Sequence, residues 1–202
     1  MKSNYPSKKE TTNKHIIEKA AELFNRKGYA GTSISDIMKA THMEKGGIYG
    51  HFSSKKEIAL AAFEYNARYI FRSFDVTSFT DKTATQKLHI LFRHIKKMYD
   101  EPILSSGCPL LNTAIEADDT DTELLSMVKK YVDKLKKIIC EIVKSGIKNK
   151  EIPSDVNPEE FAETCIEMIE GGNFMAKVYN DKTYRKKAIA RIENIINSEL
   201  VR

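Results

Sequence analysis

The chain has 202 residues, 41% hydrophobic and 30% charged, enough for one or two buried cores under a well-solvated surface. Its longest apolar run, Ile58 to Phe63, is far too short to span a bilayer, its first residues show no secretory signal, and its three cysteines (Cys108, Cys140, Cys165) are odd in number and widely spaced. Membrane-spanning, secreted and disulfide- or zinc-framed classes are set aside; a cytoplasmic chain with reduced thiols and no cofactor is expected. The formal charge of +5 is unevenly placed, because residues 1–55 hold ten Lys/Arg against five Asp/Glu while the remainder balances at 23 against 23. Such asymmetry fits either a segment that meets a polyanion or a solvated basic surface.

Taken in chain order, almost every segment has the helical period. A first helix is expected over Thr12 to Lys27, with Ile16, Ile17, Ala20, Ala21, Leu23 and Phe24 as its apolar stripe and Gly28 as an αL terminator. Ser33 and Asp36 form a capping box for a short helix, Ile34 to Ala40, broken at Thr41-His42. Glu44 to Phe52 reads as another short helix. Ser54 and Glu57 form a second capping box and open a long helix reaching Asp75. Helices then follow at Ala84 to Tyr99, Leu110 to Ala117 and Asp121 to Ser145, the last begun by an acidic cluster that suits a helix N-terminus. Asn157 as cap and Pro158 at the first position open a helix to Tyr179, and Lys182 to Leu200 is the last. The fold class is all-α with about nine helices, three of them in a small N-terminal unit.

"HMEKGGIYGHFSSKKE", residues 42–57, concentrates three glycines, an aromatic, a histidine and lysines. The glycines have neither the spacing nor the preceding strand of a dinucleotide fingerprint, and no Gly-Lys-Ser/Thr follows as a P-loop requires. Helix, short turn and short helix instead make a helix-turn-helix unit, whose second helix enters the major groove. Gly46 and Gly47 let the backbone lie close to DNA, and Lys45 can reach a guanine edge or a phosphate. Tyr49 and His51 can donate to phosphates, while Ile48 and Phe52, four apart, hold the helix on its core. Thr32, Ser33 and Ser35 at one helix start, and Ser53, Ser54 and Lys55 at another, offer N–H groups and hydroxyls to phosphate.

Residues 20–58, "AAELFNRKGYAGTSISDIMKATHMEKGGIYGHFSSKKEI", resemble the DNA-binding head of TetR-family transcriptional regulators. The resemblance runs through Phe24, Gly28, Thr32, Ile34, Ile37, Ala40, Gly47, Ile48, Tyr49, His51, Phe52, Lys55 and Ile58. His42 stands where that pattern usually has Gly, and Met43 where it has Val. The resemblance implies a DNA-binding domain over 1–55 and a helical ligand-binding and dimerisation domain over 56–202. It also implies a homodimer paired through the last two helices, a palindromic double-stranded operator and a small-molecule effector. "SSGCPLLNTAIEADDTD", residues 105–121, resembles a segment found in one subset of these regulators.

In the larger domain Cys108 can line a pocket, react with an electrophile or simply be a small buried residue. "DTDTEL" fails as a calcium loop because Leu124 stands where glycine belongs and Lys130 where the last glutamate belongs. His89 and His94 are badly spaced for one metal, and no catalytic set stands out, so no enzyme is expected. Apolar residues with a few polar groups would line a ligand pocket, the candidates being Phe92, Ile95, Met98, Cys108, Asn112, Cys165, Met168 and Phe174. Gly171 and Gly172 inside a predicted helix reflect close helix packing or a ligand near the backbone. The expected function is a homodimeric regulator, a repressor released from its operator by a ligand; the alternative is a ligand-independent architectural DNA binder on the same fold.

Overall fold

The computed structural model describes residues 7–72 and 79–201. Among them are nine α-helices, a 3-10 turn at Pro102–Leu104 and no strand. Helix α1 (Lys8–Lys27) begins earlier than Thr12 because Ser7 and Glu10 make a complete capping box: Ser7 Oγ accepts the Glu10 N–H, and the Glu10 carboxylate accepts the Ser7 N–H at 2.7 Å. The same four letters, SKKE, recur at 54–57, where α4 (Lys55–Arg72) begins, yet only half the box forms. There Ser54 Oγ accepts the Glu57 N–H, while the Glu57 carboxylate turns to the N–H and hydroxyl of Ser53. Residues 73–75, expected to continue α4, lie outside the described residues.

Between these helices sit α2 (Ile34–Thr41), with the expected Ser33–Asp36 box, and α3 (Lys45–Tyr49). The turn between them is set by His42, whose φ of 56° and ψ of 34° are left-handed. α3 is shorter than expected: Glu44 gives it no side-chain cap, and beyond Tyr49 it loosens into a turn in which the N–H groups of His51 and Phe52 share Ile48 O. Gly28 ends α1 with a positive φ of 76°, but its ψ of 174° is extended and not αL, so the chain leaves the helix sharply.

The body comprises α5 (Ala84–Met98), α6 (Pro109–Ala117), α7 (Thr122–Lys148), α8 (Pro158–Val178) and α9 (Thr183–Glu199). Asp121 caps α7 by accepting the N–H groups of Glu123 and Leu124, and Asn157 caps α8 in the same way. Two apolar cores result. One joins Ile16, Ala20, Ile37, Ile48, Phe52, Ile58 and Ala62; the other begins at Phe63 and runs through the body to Leu200. The first core thus extends past residue 55 into α4, which belongs to both units. The two glycines of α8 differ in cause. A Cβ on Gly172 would stand 2.7 Å from Ala188 Cβ and 3.2 Å from Tyr184 O, so close packing of α8 on α9 requires it, whereas one on Gly171 would meet nothing within 4 Å.

Candidate nucleic-acid interface and head–body junction

The head divides the residues expected at a polyanion into an outward and an inward group. α3 is anchored by Ile48, fully buried, and Phe52, while Lys45, Gly46, Gly47 and Tyr49 face solvent, Tyr49 at 41% exposure. Lys45 Nζ lies 5.9 Å from the centre of the Tyr49 ring, placing a cation and an amphipathic ring on one turn. A Cβ on Gly46 would meet nothing within 4 Å. The missing side chain there has no cause inside the chain; it leaves bare backbone for whatever approaches from outside. Ser33 and Ser35 are exposed at the first turn of α2. The Ser33 hydroxyl is already shared with Asp36, whose carboxyl is held well below its ordinary pKa by the Lys27 ammonium at 2.8 Å and then by Ser33.

Thr32, His51 and Lys55 point inward. Thr32 is fully buried with its hydroxyl donating to Gly28 O at 2.7 Å. Half-buried Lys55 donates to Tyr29 O at 2.7 Å and Thr32 O at 2.9 Å, with its ammonium 4.0 Å above the Tyr29 ring. His51 pairs through Nδ1 with Asn13 Oδ1. These three brace the turn after α1 and the seat of α3, and Lys55 is committed to carbonyls rather than free for a phosphate. Lys39 and His42 are also exposed on the same head; His42 was read from sequence only as a helix break and a departure from the family pattern, and Lys39 was not singled out.

The body grips the head at the turn after α1. Glu116, on α6, accepts the N–H of Tyr29 at 2.6 Å with one carboxylate oxygen and that of Ala30 at 2.7 Å with the other. Gly28 makes this possible, since a Cβ there would fall 2.6–2.9 Å from the Glu116 carboxylate. Buried Asn25 donates to Ile103 O and Gly107 O, each at 3.2 Å, and Asn112 Nδ2 donates to Asn25 Oδ1 at 2.9 Å. Lys56 bridges to Asp121 at 3.2 Å and Glu123 at 3.1 Å. Between these contacts lies a cavity of about 180 Å³ walled by Phe24, Tyr29, Phe63, Leu124, Asn66 and Glu116, among others. Nothing in the sequence taken alone brings Asn25, Asn66 and Glu116 together, because they lie on three helices.

The eight expected pocket residues do not share one site. Ile95, Met98 and Cys108 line a cavity of only about 30 Å³ with Tyr99, Leu104 and Glu170. The Cys108 thiol is buried and donates to Glu170 Oε1 at 3.1 Å, and burial pushes its pKa well up, so the thiol is the resting form. Burial raises Glu170 as well, and Cys165 to about 12. Phe92 is fully buried core, Met168 packs half-buried against it, and Cys165 is enclosed, while Asn112 belongs to the head–body contact and also accepts Lys177 Nζ at 2.9 Å. Phe174 is 55% exposed on α8 and lines no interior: the helical period near Gly171-Gly172 gives the angle of a face but not its neighbours. Among the described residues no group of His, Cys, Asp or Glu could hold a metal ion, and no helix is long and apolar enough to cross a membrane.

Comparison with known proteins places both units. Residues 16–62 match the model for bacterial regulatory proteins of the tetR family, and residues 84–192 match that for the tetracyclin repressor-like C-terminal domain. A TetR transcriptional regulator from Chloroflexus aurantiacus superposes with a TM-score of 0.89 at 36% identity, covering 96% of this chain and 98% of that one. A TetR-family regulator from Cytophaga hutchinsonii gives 0.85 at 32% identity, covering 98% and 100%. The HTH-type transcriptional repressor DhaR of a Mycobacterium species is 26% identical over 176 residues, 83% of each chain. A helix-turn-helix head matched by one family model, a helical body matched by another and near-complete overlap with solved relatives agree: this chain belongs to the TetR family and is a DNA-binding transcriptional regulator.

Proposed function

We propose that the protein is a homodimeric repressor acting in the cytoplasm, released from a palindromic operator by a small molecule. The observation that carries the DNA-facing part is α3, seated on Ile48 and Phe52 with Lys45, Gly46, Gly47 and Tyr49 turned out. Two such helices would enter successive major grooves about 34 Å apart. Ser33 and Ser35 extend the contact through the start of α2; Thr32, His51 and Lys55 support it from behind. The head comprises α1 to α3 and the first turns of α4, since its core takes in Ile58 and Ala62. Repression is supported by relatives named as repressors, DhaR among them.

Dimerisation is supported by α8, where Gly171, Phe174 and Val178 leave an apolar stripe exposed beside Tyr179, the face expected to meet a second copy together with α9. Ligand response is supported by a cavity at the contact that joins body to head. Selection of an operator from a random DNA pool, followed by gel-shift titration of wild type and Tyr49→Ala, tests the reading. A twofold-symmetric selected site, with weakened binding by a still-folded variant, is the expected result; wild-type affinity in the variant would sink the α3 groove assignment.

A further inference from the structure

We propose that Glu116 is a specificity-determining positioning residue: by holding the turn after α1 it fixes the angle of the head on the body, and so the half-site spacing that two heads can occupy together. This rests on the reading of the chain as a homodimer on a twofold-symmetric operator. Head and body have separate apolar cores, and the chain passes between them along α4, where Ala62 belongs to the first core and Phe63 to the second. A single strut of this kind leaves the head free to tilt and turn about it unless a second contact stops the motion. Helix α6 supplies that contact at two points four residues apart, roughly 6 Å along its axis. Asn112 Nδ2 donates to Asn25 Oδ1 at 2.9 Å and to Asn25 O at 3.1 Å, and Glu116 accepts the N–H groups of Tyr29 and Ala30 at 2.6 and 2.7 Å. The Glu116 grip is the firmer of the two, because both of its bonds are charge-assisted and both end on backbone. The turn is shaped for it: Gly28 has a φ of 76°, and a Cβ there would stand 2.6–2.9 Å from the carboxylate. Lys56, whose partners Asp121 and Glu123 also lie in the body, makes partly exposed ion pairs and adds less.

From that turn the position of α3 follows. Tyr29 O and Thr32 O accept Lys55 Nζ at 2.7 and 2.9 Å, Ser33 caps α2, and α2 leads through the left-handed His42 to α3. Shifting the turn on α6 therefore shifts α3 relative to the body. With two bodies paired, such a shift changes the separation of the two α3 helices. DNA is exacting on this point: one extra base pair between half-sites moves the second groove by about 3.4 Å and turns it by about a tenth of a helical turn. Linked heads reinforce each other only while both engage at once. A rigidly held head thus rejects the wrong spacing, and a loosened one accepts it.

Gel-shift titration of the full chain tests this on three duplexes: the selected twofold-symmetric site, the same site with one base pair inserted at its centre, and a single half-site. Wild type is compared with Glu116→Gln, which sets an amide donor against one of the two N–H groups, and with Glu116→Asp, which keeps the charge but withdraws the carboxylate by one methylene. Wild type should bind the inserted site at least about tenfold more weakly than the selected one, and in both variants that ratio should fall to about threefold or less. Half-site affinity should stay within about twofold of wild type, with an unchanged circular dichroism spectrum. A smaller fraction of active protein, or the loss of one negative charge, would move the duplexes alike and leave the ratio where it was. A ratio as large as wild type's in either variant overturns the assignment alone. A wild type that binds the half-site as tightly as the selected site overturns the two-headed reading, and the assignment with it.

Discussion

Gly46 and Lys55 show how residue type and residue role part company. Both were read as DNA-facing, yet Gly46 has open space where its Cβ would be and Lys55 is tied to two carbonyls. Gly46→Ala should therefore stabilise the free chain by up to about 1 kcal/mol, since alanine is the better helix former and meets no clash, while weakening operator binding; thermal melting and gel shift on one sample check both halves. Lys55→Ala should cost about 1–2 kcal/mol by leaving half-buried carbonyls unsatisfied, visible as a lower melting temperature before any DNA is added. Acid sensitivity belongs to this scale too. Asp36, Glu10 and Glu57 all have pKa values below the ordinary range, Asp36 through Lys27 and then Ser33, the other two through serine bonds. Stability from a depressed carboxylate is complete above its unfolded pKa, near 3.8 for Asp36, and is lost as pH falls through the lower folded value. Melting temperatures should be level above about pH 5 and fall as the pH drops from about 4.5 towards 2, less steeply in Asp36→Asn, which has no charge at that position to lose.

At the scale of elements, what could be read from sequence followed from local physics. The Ser33–Asp36 box, the Asn157-Pro158 start and the buried stripe of α1 depend on neighbours along the chain, and each was legible. The early start of α1 was equally local, since Ser7–Glu10 repeats the SKKE that opens α4, and was missed only because polar residues surround it. The direction of Lys55, the exposure of Phe174 and the meeting of Glu116 with the Tyr29-Ala30 backbone depend on where other helices lie. Periodicity carries no information about that. Helix α8 gives a sharp test, because its two glycines answer to different neighbours. Gly172→Val should destabilise by about 1–3 kcal/mol through overpacking against Ala188, whereas Gly171→Ala should leave the chain as stable or slightly more so; chemical denaturation of the pair separates them.

Across the whole molecule, two cores share α4, and the bonds of Glu116, Asn25 and Lys56 keep head and body in register. The exposed apolar stripe on α8 is the face proposed to meet a second copy. Phe174→Glu should leave the body's fold unchanged, because the ring is 55% exposed, and should shift sedimentation from dimer to monomer. Operator affinity should fall with it, since two heads on one operator bind as a linked pair.

The Glu116 grip also bears on how such a protein can change its target. It holds two backbone N–H groups, which every non-proline residue supplies, so it is indifferent to the side chains at positions 29 and 30. A head from a relative with a different operator, grafted ahead of Phe63, should still couple to this body if it keeps glycine at 28, asparagine at 25 and lysine at 56. Body and head are in that sense interchangeable parts, joined through a backbone grip that does not read the side chains at positions 29 and 30.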